Sequence, residues 1–380
     1  MPRRKPAFSL LALTRAYQRN LRALARATRA APLARVKQKP PAAAPRTVAA
    51  RGTAAAARAP ASRGLWKSGV APGPAGARRF HLYLPPGPPL RPGQTLPLLV
   101  MLHGCDQTGR DLADLSRMQR LAARERFLVL YPEQERLANA HGCWNWFERR
   151  SGKADAEAAT LLAAVDLVAR RHPVDLGRVA VAGLSAGASM AALMAARYPH
   201  RFCAVAMHSG VAPGAADSAA TALAAMHGRR DAHLPEPAGV PGAPGAAAAA
   251  ALQGGAGLGA PLAPLAAGGA ALARHLPPLL VVHGDADRVV SLRNAETTAQ
   301  AWAQALGARP GAPRVVRRGQ RHATRVTEYR TRGRAVVVLR EVQGLGHAWS
   351  GGTARKPYSD PDGPDASALI WAFVARQWGS

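Results

Sequence analysis

The sequence predicts an α/β fold with a mostly parallel central sheet and helices on both faces. Three observations carry that prediction. Short apolar runs at 98–102, 127–131, 179–182 and 279–282 read as strands buried on both faces. Segments of helical periodicity lie between several of them, and 154–170 places Leu161, Leu162, Val165 and Val168 on one side. Strands and helices alternate at spacings that suit crossover connections, which join parallel neighbours.

Taken in order, the chain begins with a basic arm at 1–31. Leu10, Leu13, Tyr17, Leu21 and Leu24 recur at helical spacing, and Arg15, Arg19, Arg22, Arg26 and Arg29 fall largely between them. This is the pattern of an amphipathic helix that lies on an anionic membrane or a lipid-coated granule through residues 10–29, or docks on the protein itself. Residues 32–64 are rich in Pro, Ala and Arg and read as a disordered linker. The folded domain is expected over 65–380. It opens with an alternating strand at 79–84 and a Pro-rich turn at 85–92. The buried strand at 98–102 follows and leads into a polar loop from His103 to Gly109. A helical pattern at 112–124 precedes the strand at 127–131. Next comes an aromatic loop with Trp144, Asn145, Trp146 and Phe147. After the helix at 154–170, strand 179–184 meets helix 186–197, and 204–207 is a further strand. A low-complexity Ala/Gly/Pro insertion at 237–273 interrupts the pattern. Strands at 279–282 and 336–339 resume it, and Asp365 caps a last helix that turns Leu369, Ile370, Phe373 and Val374 inward.

The formal net charge of +29 invites a nucleic-acid or membrane partner. Its distribution weakens that inference. Residues 1–70 hold 16 Lys and Arg and no acid, and the first carboxylate is Asp106. The arginine-rich, alanine-rich composition is also what a GC-rich genome produces, so nucleic acid is not the expected partner. Three cysteines are too few for a disulfide scaffold, although one bridge fits, and Cys203 sits in an apolar run as a buried free thiol. The n-region at Met1 to Pro6 is followed by an apolar stretch that Arg15 cuts short, so it does not read as a signal peptide; that argues for the cytoplasm and leaves the location open. The long uncharged insertion is too rich in Gly and Pro to span a membrane.

Gly183-Leu184-Ser185-Ala186-Gly187 closes one strand and opens a helix. This is the form of a nucleophile elbow, in which serine sits at the tip of a sharp turn and glycines make room for it. A serine hydroxyl needs a base to take its proton and a carboxylate to orient that base. Asp287 and His347 each follow a strand, and the order serine, aspartate, histidine is the one α/β-hydrolases use. Parallel strands end on one edge, so the three residues can converge there. Asp285 competes with Asp287, but the later carboxylate lies deeper in its loop, and Asp285 is better read as a loop cap. His283, His103 and His208 read as loop-bracing residues. The oxyanion of a tetrahedral intermediate needs two backbone donors, assigned to Ala186 and Cys105. Trp144, Trp146 and Trp349 line a pocket or pack in the core. A Cys105–Cys143 bridge would stiffen the oxyanion loop in an oxidising compartment. Neither metal nor cofactor is expected.

Seven segments together resemble the polyhydroxybutyrate (PHB) depolymerase family of esterases, relatives of feruloyl and acetylxylan esterases. They are Leu102-His103-Gly104-Cys105-Asp106-Gln107-Thr108, Tyr131-Pro132-Glu133-Gln134, Cys143-Trp144-Asn145-Trp146-Phe147, the elbow through Met190, His208-Ser209-Gly210, His283-Gly284-Asp285-Ala286-Asp287 and Gly346-His347-Ala348-Trp349-Ser350-Gly351-Gly352. The resemblance implies an α/β-hydrolase with Ser185 as nucleophile, Asp287 as acid, His347 as base, and Cys105 and Ala186 as oxyanion donors. It also implies an ester substrate, either short-chain hydroxyalkanoate or a feruloyl or acetyl carbohydrate ester, and it permits an extracellular location. A non-enzymatic alternative is a granule-, membrane- or nucleic-acid-binding protein that works through its basic N-terminus.

Overall fold

The computed structural model describes residues 64–238 and 276–378. The basic arm, the linker and nearly all of the low-complexity insertion lie outside the described residues. Residues Gly64–Ser380 form one compact unit.

Its sheet starts with an antiparallel hairpin of β1 (Leu65–Ala71) and β2 (Arg78–Leu84). β2 pairs antiparallel with β4 (Leu128–Pro132), and β4 lies parallel to β3 (Leu96–Leu102). From β3 the sheet runs parallel through β5 (Val174–Leu184), β6 (Ala204–His208), β7 (Leu279–Gly284) and β11 (Arg334–Val342). Beyond β11 it turns antiparallel again, with β10 (Thr324–Thr331) and the short β8 (Arg309–Pro310) and β9 (Arg314–Val316). A separate parallel pair, β12 (Trp349–Ser350) and β13 (Ser359–Asp360), lies off the sheet.

β4, β6 and β7 are buried along their whole lengths because helices cover both faces. Alternation along β3 divides the core into two layers. Leu98, Val100 and Leu102 join α3 (Lys153–Arg171), α4 (Ala186–Arg197) and α6 (Arg293–Ala305) on one face. Leu99 and Met101 join α1 (Gly109–Ser116), α2 (Met118–Glu125) and α7 (Ala366–Trp378) on the other. A short helix, α5 (Ala219–Met226), follows β6. Asp365 accepts the Ala368 N–H at 3.0 Å and caps α7, whose Ile370, Phe373 and Val374 are buried, while Leu369 is half-buried.

Two expectations need correcting. The helical pattern at 112–124 is two helices, because Arg117 adopts a left-handed conformation (φ 56°) that ends α1 and starts α2. Its N–H still donates to Ala113 O, and its guanidinium donates to Gly351 O at 2.6 Å. Cys203 is half-buried rather than buried. Its thiol donates to Val179 O and accepts the Trp378 indole N–H, and desolvation pushes its pKa up to about 11.

Candidate active site

β5 delivers Ser185 at the carboxyl edge of the sheet, between β3 and β6. Ser185 has φ 55° and ψ −120°, a conformation that side chains rarely adopt, and its N–H donates to His208 O at 2.9 Å. The flanking glycines are required by contact. A Cβ on Gly183 would lie 2.3 Å from the Gly187 carbonyl carbon, and one on Gly187 would lie 2.1 Å from Leu102 O. Strand, turn and helix therefore pack backbone against backbone, and that packing holds the strained serine in place.

His347, in the loop after β11, brings Nε2 to 2.9 Å from Ser185 Oγ and Nδ1 to 2.7 Å from Asp287 Oδ2. The carboxylate can only accept, so Nδ1 carries the proton, and the Nε2 lone pair faces the serine hydroxyl. Asp287, in the loop after β7, is itself fixed: its Oδ1 accepts the N–H groups of Val289 and Val290, both at 2.9 Å. Burial alone would raise this carboxyl. The His347 hydrogen bond and charge, then His283 and the Val290 N–H, outweigh it and hold the group below the ordinary carboxylate range. Asp285 instead accepts the Gly344 N–H at 2.7 Å and so braces the turn that leads to His347.

The loop after β3 faces the serine. A Cβ on Gly104 would lie 3.5 Å from Ser185 Cβ, and the Gly104 N–H is taken by Gln107 Oε1 at 2.9 Å. A disulfide joins Cys105 to Cys143, and Asp106 N–H donates to His141 O at 2.8 Å. His103 is fully buried and braces both sides of this junction. Its Nδ1 is 2.8 Å from Gly104 O, its Nε2 accepts the Gln134 N–H at 3.1 Å, and its carbonyl accepts the Trp144 indole N–H at 3.0 Å. Burial depresses its pKa, so the ring stays neutral and serves one donor and one acceptor.

Residues 78–240 match the family model "Esterase PHB depolymerase". That match takes in Ser185 and the Cys105 loop and ends before Asp287 and His347. Over 152 residues the chain is 36% identical to poly(3-hydroxyalkanoate) depolymerase C of Paucimonas lemoignei, an alignment that covers 40% of this chain and 36% of the relative. The chain thus spans well under half of that relative's length. A probable acetylxylan esterase A of Aspergillus clavatus is 26% identical over 244 residues, 62% of this chain and 69% of the relative. The solved acetyl xylan esterase of Aspergillus awamori has the same α/β-hydrolase fold, with a TM-score of 0.53 at 19% identity, covering 75% of this chain and 94% of that one.

The structure brings Ser185, His347 and Asp287 together and sets the Cys105 loop and Ala186 beside the serine. The tryptophans divide differently. Trp144 and Trp349 are fully buried, with their indole N–H groups committed to His103 O and Ser367 Oγ, so they are core residues and not pocket walls. Trp146 is nearly buried and packs edge-on against Phe147. Trp349 stacks on His208, another buried ring, whose Nε2 accepts the Ser350 N–H at 3.1 Å. Burial, helped by His283 and His347, lowers the His208 pKa to about 3.

Sequence reasoning missed one anchor. Glu157 on α3 is buried and accepts hydrogen bonds from Arg78, Gln134 and both the backbone and the side chain of Asn145. Gln134 also donates to Cys143 O at 3.0 Å, so this carboxylate supports the disulfide loop from beneath. A signal was available: Glu157 stands four residues before Leu161, on the stripe that continues to Val165 and Val168.

Proposed function

We propose that the chain is a serine esterase that cleaves short-chain hydroxyalkanoate esters or oligomers through an acyl-enzyme on Ser185. The observation that carries this reading is the unbroken line from Asp287 Oδ2 through His347 to Ser185 Oγ, with hydrogen bonds of 2.7 and 2.9 Å. In the first step Ser185 Oγ attacks the ester carbonyl carbon and gives its proton to His347 Nε2. Asp287 stabilises the imidazolium and keeps its ring oriented. The oxyanion accepts from the N–H groups of Ala186, the first residue of α4 with no intrahelical acceptor of its own, and of Cys105. Collapse expels the alcohol, which takes the proton from Nε2. Water then enters by the same route in reverse and releases the acid.

The hydroxyalkanoate assignment is supported by the family-model match and by the depolymerase relative. A second reading, a carbohydrate esterase of the acetylxylan type, is favoured by the longer alignment with acetylxylan esterase A. Contact with a polymer granule through residues 10–29 belongs to the first reading. One panel separates them: hydrolysis of p-nitrophenyl butyrate, hydroxybutyrate oligomers, amorphous granules, and acetylated and feruloylated sugars by wild type and Ser185→Ala. Turnover in Ser185→Ala equal to wild type sinks the mechanism. A preference for acetyl or feruloyl sugars sinks the hydroxyalkanoate assignment alone.

A further inference from the structure

A second concavity lies away from the serine. It is a cavity of about 730 Å³ between α7 and the β7–β11–β10 side of the sheet. Its floor is apolar, from Leu280, Val338 and Phe373, and its walls carry Arg314, Arg318, Arg330, Arg334, Arg340 and Arg376. Glu328 is the one acidic residue that lines it, and Arg314 and Arg330 already share its carboxylate, at 2.7 and 2.6 Å. Six arginines against one glutamate leave a net charge of +5 around a single cavity.

Five of the six arginines are exposed at the rim, and Arg340 alone reaches inward. Arg340 follows Val338 on the sheet face that packs against α7, is half-buried, and pairs across the ladder with Val282 and Val326. Among the described residues no carboxylate lies within ion-pair distance of Arg318, Arg340 or Arg376. Desolvation, then the neighbouring charges of Arg314 and Arg376, press the Arg340 guanidinium below its usual pKa. Residues 1–63 and 239–275 contain no Asp or Glu, so those parts of the chain have no acidic side chain to offer. Like charges gathered at one cavity repel one another and focus a positive potential there, which an entering anion relieves.

We propose that this cavity binds a small polyanion with two or more phosphate-type oxyanion groups. Guanidinium forks match phosphate oxygens in pairs, and arginines drawn from β9, the segment after it, β10, β11 and α7 surround a ligand from several directions. The apolar floor suits a ligand that carries an organic body as well as its charge. The site is separate from the esterase chemistry. Leu280 and Val338 lie back along their strands from the carboxyl ends, where Asp287 and His347 stand.

Isothermal titration of the full-length protein with sodium tripolyphosphate at physiological salt tests this. Wild type is expected to bind it saturably, one per chain at the cavity, and orthophosphate more weakly. Arg340→Gln, and separately the exposed pair Arg318→Gln with Arg376→Gln, should each weaken that binding by about tenfold or more while circular dichroism shows the native fold. Adenosine triphosphate carries the same phosphate chain, so tighter binding than tripolyphosphate identifies a ligand whose organic part rests on the floor, and equal binding identifies the phosphate chain alone. Absence of saturable binding, or equal binding by wild type and the exposed-pair variant, overturns the proposal. The second result assigns the anion to another basic region.

Discussion

Glu157 accepts both the backbone and the side-chain N–H of Asn145, although the two residues sit on separate elements and both are buried. The same carboxylate faces the Arg78 guanidinium at 3.3 Å and the Gln134 amide at 2.7 Å. The loop that carries Cys143 thus hangs from one charge inside the core.

Glu157→Gln removes that charge and replaces an acceptor oxygen with a donor, leaving Arg78 buried without its counter-ion. A loss of about 3 kcal/mol in unfolding free energy is expected, since a half-broken buried pair is costly. Urea unfolding of the variant checks this. A change below about 1 kcal/mol would show that the charge is not what holds this loop.

The two neighbouring carboxylates should separate cleanly. Asp287→Asn removes the acceptor that orients His347 Nδ1–H, and kcat on p-nitrophenyl butyrate should fall by a factor on the order of 10^4. Asp285→Asn touches only the Gly344 turn, and kcat should stay within a few-fold of wild type. Equal losses in the two variants would mean that the acid has been misassigned.

Reducing the Cys105–Cys143 bridge opens a loop with a sequence separation of 38. Chain-entropy reasoning puts the cost at about 4 kcal/mol. Melting temperature should fall in the presence of a strong reductant. The proposed oxyanion donor at Cys105 is the first group freed, so kcat should fall more than KM rises. A Cys105→Ser, Cys143→Ser double variant provides the same comparison without reductant.

Acid should destabilise the fold in a defined window. His103, His208 and His283 are buried, and desolvation lowers the pKa of each, that of His208 from 6.5 to about 3. The unfolded chain therefore binds more protons than the folded one between these values, so stability rises with pH. It is complete above about 6.5 and is lost as pH falls towards 3. Melting temperature measured across that range should decline steadily. His208→Gln should start lower at neutral pH and show a shallower decline.

The sequence made the serine turn legible because backbone contact leaves no alternative at Gly183 and Gly187, and two glycines around a serine record that contact directly. Asp287 and His347 could be placed because each follows a run buried on both faces, and parallel strands end together. Arg117 could not be placed. The apolar stripe Leu112, Leu115, Met118, Leu121 crosses the break without interruption, and no glycine or proline marks the turn. α6 was missed because the face it buries is mostly small, with Ala295, Ala299 and Ala303 giving little contrast to the eye. Trp144 and Trp349 looked equally suited to a pocket or a core. The partners of their indole N–H groups decide that question, and those partners lie 41 and 18 residues away in sequence.

The bond from Asp285 to the Gly344 N–H has a neighbour: Ala286 N–H donates to Leu345 O at 3.2 Å. The loops that carry Asp287 and His347 are thus stitched along their backbones, whereas the Ser185 backbone is held by the His208 carbonyl and meets the couple at the hydroxyl, through His347 Nε2. The proposed site is assembled from two pieces, the Asp287–His347 pair and the separately braced Ser185. Substitutions in the β5–β6 half are expected to change the reach from Ser185 Oγ to His347 Nε2 before they disturb the Asp287–His347 hydrogen bond. Altered catalysis is therefore easiest to obtain by substitutions around His208, whose carbonyl holds the Ser185 backbone.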